Sequence, residues 1–489
     1  MDPTDPGDRP PAPERPPPPG PAWPPPGPAW LPPPAVSWPG QPPGSAPPGW
    51  GAPGPPPRRR GRVGWIVAGV AGLLVVALVA AVALVRPGVR DGSAPSARAL
   101  GQRPATRLPA DPRAELPRLL AKRAKAVLAD DRAAFLATVD KRQKAWYRKQ
   151  STLFARMRTA PFSAFAYRIL DQRSDTRLRR RYKAEQVELA RVQARYRFRG
   201  QDASPVLARY SYTFALTRSG WRIAGDGDRR FRGRDDVEIW DGGPVKTARS
   251  ARTLIVHHPG QEGLAARLLR VADRAYAQVG AAWTGRWERK AVILVPSDQD
   301  EAERLVGARN LSRVAAVASS SVESGAAERV IGNRIVVNTA NVVGYNNLNL
   351  QILITHEMTH VATRTLGDGV PLLLVEGFAD WAALKPLDYP FRVTRPALAR
   401  LGGARFDGAL PSDREFRGPD AAVAYDEGSA FCLWVAETAG AGKLQALYRQ
   451  FAGSSPPTTA QLDRGFRRVL GVSRRTAERR WAAWVRARL

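Results

Sequence analysis

The spacing of hydrophobic and polar positions changes several times along the chain, and each change marks a different kind of element. Residues 64–85, GWIVAGVAGLLVVALVAAVALV, carry no charge. At 1.5 Å per residue such a helix runs roughly 33 Å, the depth of a bilayer core. It is too long, and starts too far into the chain, for a cleaved signal peptide, so the pattern predicts one transmembrane helix over 63–85. From 111 to about 159 apolar residues recur at three- and four-residue steps, as in ELPRLLAKRAKAVLADDRAAFLATV, which predicts helices. After Ala160-Pro161 the period drops to two. FSAFAYRIL, AEQVELARVQARYRF, PVLARYSYTFALTR and GWRIAGD read as half-buried antiparallel strands.

Beyond residue 250 strands and helices alternate. RTLIVHH, KAVILVP and RIVVNTA (334–340) predict strands, and EGLAARLLRVADRAYAQVG predicts a helix. RIVVN is expected at a sheet edge, where it could pair with an extended peptide. LNLQILITHEMTHVATRTLG and PLLLVEGFADWAAL follow as apolar helices with sudden polar insertions. AYDEGSAFCLWVAETAG, GKLQALYRQFAG, TAQLDRGFRRVLG and SRRTAERRWAAWVRARL complete a helical end.

The expected class is α+β. It comprises a Pro-rich disordered tail (1–62), the transmembrane helix (63–85), a linker (86–110), a helix-plus-curved-antiparallel-sheet module (111–242) and a C-terminal region (250–489) with a strand-containing lobe and a helical lobe.

Composition changes this picture in three places. Residues 1–57 repeat phrases such as PPPGPAW, and so many prolines favour polyproline II over a packed core. That tail is a solvated spacer or a ligand for aromatic-grooved domains. Four arginines (Arg58, Arg59, Arg60, Arg62) precede the apolar run and two (Arg86, Arg90) follow it. The bias places the N-terminus in the cytoplasm and residues 86–489 outside.

The net charge is +31, and residues 101–240 hold 33 Lys/Arg against 15 Asp/Glu. Outside a membrane this surplus suits anionic lipid or wall polymer, or reflects arginine-rich composition alone. Nucleic acid ranks below these, because the anchor keeps the module away from it. Cys432 is the single cysteine, so no disulfide forms within the chain.

Chemistry concentrates at His356-Glu357-Met358-Thr359-His360. On a helix residues i and i+4 share a face, so His356 and His360 can present two imidazoles to one metal ion, with Glu357 beside them to hold a water. Glu376 supplies a third ligand and leaves the fourth position open. HExxH also occurs on ordinary amphipathic helices. Here the surrounding run is apolar, and a second apolar segment inserts Glu376 and Asp380; buried carboxylates without partners are expensive, and a metal with its histidines accounts for both. His257 and His258 have no third partner at ligand spacing and are expected to be structural or on the surface.

The pattern HExxH…ExxxD, with VPLLLVEGFADW around the Glu, resembles the gluzincins, the thermolysin-like zinc metallopeptidases, and among them the peptidase MA-like branch. The resemblance covers roughly 250–489. It implies Zn²⁺ held by His356, His360 and Glu376, with Glu357 as general base and a peptide or protein substrate. It also implies that Asp380 hydrogen-bonds a zinc-bound histidine. A second oxyanion donor on the helical lobe is expected, and Tyr425 is the candidate, unless it only packs its helix. The three-histidine extension is absent, since Thr363 and Leu366 stand where Gly and His would be. Residues 111–242 resemble, by pattern alone, the nuclear-transport-factor-like fold. Together these imply a membrane-anchored zinc peptidase. The alternative is a non-catalytic membrane-anchored binding protein on the same scaffold.

Overall fold

The computed structural model describes residues 111–489, apart from 229, 230, 232, 324–328, 367, 368, 388 and 454. The expected tail, transmembrane helix and linker lie outside the described residues. Among the described residues no helix is long and apolar enough to cross a membrane. The architecture is mixed α+β.

Three helices open it: α1 (Pro112–Leu128), α2 (Arg132–Ala137) and α3 (Lys144–Met157). Asp131 caps α2 by accepting the Ala134 N–H, which satisfies a donor the helix cannot. An antiparallel meander follows in the order β1 (Phe162–Ser174), β2 (Val187–Phe198), β3 (Val206–Thr217) and β4 (Gly220–Gly225). Trp146 of α3 donates its indole N–H to the Ile223 carbonyl at 3.0 Å, tying the helices to β4.

A second sheet has the order β5-β6-β7-β9-β8. Its strands are β5 (Lys246–Arg249), β6 (Thr253–His257), β7 (Ala291–Val295), β8 (Ala316–Glu323) and β9 (Arg329–Val337). β6, β7 and β9 run parallel, while β5 and β8 pair antiparallel at the two edges. The last strand starts earlier and stops earlier than 334–340, because Asn338 begins a short turn of helix at Thr339–Val342.

Both faces of this sheet are buried. Ile255, Ile293, Val295, Ile335 and Val337 face α4 (Glu262–Ala282) and the helices beyond it in one core. Leu254, Val256, Leu294, Val317 and Val336 face the other way and share a core with Phe162, Tyr196, Phe198, Val206 and Trp240 of the first sheet and its loops. Period-two alternation with apolar residues at both phases produces this two-sided burial. α5 (Gln299–Val306) adds Ala302, Leu305 and Val306 to the second core.

The longer helices that follow are α6 (Asn347–Thr363), α7 (Leu372–Leu384), α8 (Ala421–Thr438), α9 (Ala441–Gln450), α10 (Thr459–Leu470) and α11 (Arg474–Arg486). α7 lies between α6 and α8.

Candidate metal centre

α6 is a helix with no solvent face: every residue from Asn349 to Thr363 is buried. The Asn346 side chain starts it by accepting the Asn349 N–H at 2.8 Å. Leu350, Leu353, Ile354, Met358, Val361 and Ala362 enter the core. Its buried threonines bond backward, with Thr355, Thr359 and Thr363 hydroxyls reaching the carbonyls four residues earlier at 2.7, 2.8 and 3.0 Å. That removes the desolvation penalty of their hydroxyls. Gln351 and Thr355 reach Gln278 of α4, whereas His356 and His360 look toward a different element.

That element is α7. Leu372 donates its N–H to Asp413 at 2.8 Å, which fixes the start of the helix. At Gly377, next to Glu376, a Cβ would lie 2.3 Å from the Gly428 carbonyl oxygen of α8. Only a glycine there lets α7 and α8 approach so closely.

Glu376 Oε2 sits 3.3 Å from His356 Nε2 and 3.5 Å from His360 Nε2, and the two Nε2 atoms are 2.9 Å apart. A tetrahedral ion with bonds of about 2.0–2.2 Å separates its ligands by about 3.3–3.6 Å; the two histidine–Glu376 sides match that spacing, and the histidine–histidine side is shorter. Neither carboxylate oxygen of Glu376 makes an aligned hydrogen bond although both are buried. The two imidazoles can share one hydrogen bond while the Glu376 oxygens are left without an aligned donor, and these three side chains could hold an ion. His356 Nδ1 donates to Asp380 Oδ1 at 2.8 Å, which leaves its Nε2 lone pair facing the convergence point.

Electrostatics around the point are uneven. Burial pushes Glu357 above the usual carboxylate range; the histidines and the Ala318 N–H of β8, which hydrogen-bonds its carboxylate, pull the other way. Its Oε2 is buried with no partner. Glu376 moves down: burial would raise it, but His360 and His356 beside it prevail. Tyr425 is buried on α8 with its ring edge-on to Phe416. Burial, then the charges of Glu376, Asp380 and Glu357, hold its hydroxyl proton well above the ordinary tyrosine value.

The chain thus brings His356, His360, Glu376 and Asp380 into contact, with Glu357 and Tyr425 around them. His257 and His258 stand apart. His257 Nδ1 donates to the His258 carbonyl, and His258 bridges the Pro244 carbonyl and Glu301 Oε1 at 2.8 and 2.9 Å.

RIVVN is not a sheet edge: β9 pairs with β7 on one side and β8 on the other. The edge beside α6 is β8, AVASSSVE, whose small and polar side chains gave no strong strand pattern. Also unforeseen is Arg395, buried within electrostatic reach of Asp426 and Asp380, which donates to the Ser429 hydroxyl at 3.1 Å. Comparison with protein-family models and with curated proteins finds no match to this chain.

Proposed function

We propose that the protein is a membrane-anchored zinc metallopeptidase of the gluzincin kind. The observation that carries this reading is the convergence of His356 Nε2, His360 Nε2 and Glu376 Oε2, with an unpartnered buried carboxylate oxygen of Glu357 beside them.

His356, His360 and Glu376 would hold the ion. Bound zinc lowers the pKa of a coordinated water towards about 7 and polarises a carbonyl. Glu357 Oε2 accepts the water's proton and returns it to the leaving amine; burial brings its pKa closer to that task. Asp380 keeps the His356 proton on Nδ1. Tyr425, still protonated at neutral pH, donates to the developing oxyanion.

The outer edge of β8 offers main-chain groups to an extended peptide. The uncharged run at 64–85 supports a single-pass anchor with the described residues outside the cytoplasm. The basic surplus in 101–240 supports contact with anionic lipid or wall polymer.

The test uses the full-length protein in detergent. One equivalent of zinc and cleavage of a peptide library are expected. Glu357→Gln should keep the zinc and lose about 10²–10⁴-fold in rate. A protein that binds zinc but cleaves no peptide in a Glu357-dependent way sinks the peptidase reading.

A further inference from the structure

The turn between β2 and β3 reaches out of the first sheet to the second, at β9 and just before β7. Asp202 accepts two parallel hydrogen bonds from Arg334 of β9, at 2.7 and 2.8 Å, and both side chains are 6% exposed. Asp202 also accepts the Phe198 N–H at 2.7 Å, so its carboxylate is fixed from the β2 side as well. The Gly200 carbonyl accepts from Lys290, just before β7, at 2.7 Å. Val206 sits on Gly332: a Cβ there would come 2.9 Å from the Val206 Cα.

Gly332 is not an ordinary strand residue. Its φ is +62°, and the β8–β9 register steps from Ser319↔Arg334 to Ser321↔Ile331. Gly332 and Asn333 therefore face Ser320 alone, which is a bulge with glycine in the left-handed position. The gripped residues are the bulge itself and its neighbour Arg334.

On its other side the bulge borders β8. Ser320 accepts from Arg364, which ends the metal helix, at 3.3 Å, and Ala318 two residues earlier hydrogen-bonds Glu357. Beneath the bulge lies a cavity of about 30 Å³ lined by Val206, Ser319, Ser320, Gly332 and Arg334 among others. The bulge is thus in close contact with Val206 on one side and beside a small cavity on the other.

We propose that Asp202 of the β2–β3 turn and Val206, which opens β3, are positioning residues for the metal centre: through the Gly332 bulge they place β8, and with β8 the Glu357 carboxylate and the edge a peptide pairs with. The proposal rests on the peptidase reading for its kinetic consequence but not for its structural one.

The experiment compares full-length wild type with Asp202→Asn, which keeps the volume but breaks the charged pair, and with Asp202→Glu, which keeps the charge. For Asp202→Asn, kcat/KM per folded molecule on an extended peptide should fall about tenfold or more, since sub-ångström misplacement of reacting groups is felt in rate. Zinc should stay at one equivalent, and amide exchange in residues 314–322 should accelerate while β6 and β7 are unchanged. Asp202→Glu should recover part of both effects.

A pair that only stabilises would lower the melting temperature and leave kcat/KM of the folded fraction unchanged. That outcome, with wild-type exchange in β8, overturns the proposal. If Asp202→Asn does not fold, Val206→Ala decides by the same two readouts. If wild type cleaves nothing, the peptidase reading fails, and exchange in β8 still decides the clamp.

Discussion

The four histidines form two adjacent or near-adjacent pairs, both buried, and the protein uses them in opposite ways. At His258 both ring nitrogens face oxygens that can only accept: the Pro244 carbonyl and Glu301, itself also bonded by the Ser297 N–H and hydroxyl. Satisfying both requires an imidazolium, and the His258 pKa is raised, chiefly by its hydrogen bond to Glu301. The donors and acceptors close on one another. At His356 one nitrogen is spent on Asp380 and the other meets a histidine nitrogen and a carboxylate that is not aligned to bond it. What separates a structural buried histidine from a candidate ligand is therefore bonding capacity left over, and burial does not distinguish them.

The comparison breaks most sharply on ligand removal. His360→Ala should drop bound zinc from one equivalent to near none by elemental analysis, while the metal-free protein keeps its unfolding midpoint. His258→Ala should do the reverse. It leaves Glu301 buried without its cation, which costs about 3–5 kcal/mol in denaturant unfolding, and zinc stoichiometry should not change. If His258→Ala loses zinc, or His360→Ala destabilises the metal-free protein as strongly, the two pairs are not distinct.

Asp380→Asn removes a charge beside His356 but keeps a hydrogen-bonding group. Zinc affinity should fall about 10–100-fold in competition with a chelator, and stability without metal should change little.

The smallest effect is on pH. The His258 pKa is raised, so its contribution is complete below the ordinary histidine value of about 6.5 and fades as pH climbs through the raised one. The Glu301 pKa is lowered: burial opposes this, but His258 and Ser297 outweigh it, so its contribution is complete above the ordinary value and fades as pH falls through the lowered one. The pair therefore supports the metal-free fold best between about 4.5 and 6.5. Thermal stability should fall above that window by about 1 kcal/mol, or about 2–4 °C, and His258→Gln should flatten that fall.

Much of the fold was legible in local pattern. The opening helices, the four-strand meander and the helices after Asp380 lie where period and breaks put them, because capping and amphipathic spacing act within a few residues. β8 was not legible: AVASSSVE has neither bulk nor clean alternation, and it becomes a strand by pairing with β9. β9 was misplaced for the complementary reason. RIVVN is a hydrophobic run like those of β6 and β7, and such runs state that a strand is buried without stating which strands flank it.

By itself the sequence determined which residue types could meet: two histidines one helical turn apart, a glutamate between them in sequence, and a second helix carrying Glu376 and Asp380. Helix geometry alone aligns His356 with His360. Tertiary structure decided the rest. It brought Glu376 within 3.3 Å of His356 through a close helix approach that needs Gly377, it paired His258 with Glu301 and His257 with the His258 carbonyl, and it set β8 beside Glu357. Apart from the His257 bond, each of these is a contact between residues distant in sequence, so its geometry depends on how the elements pack together and cannot be read from local spacing.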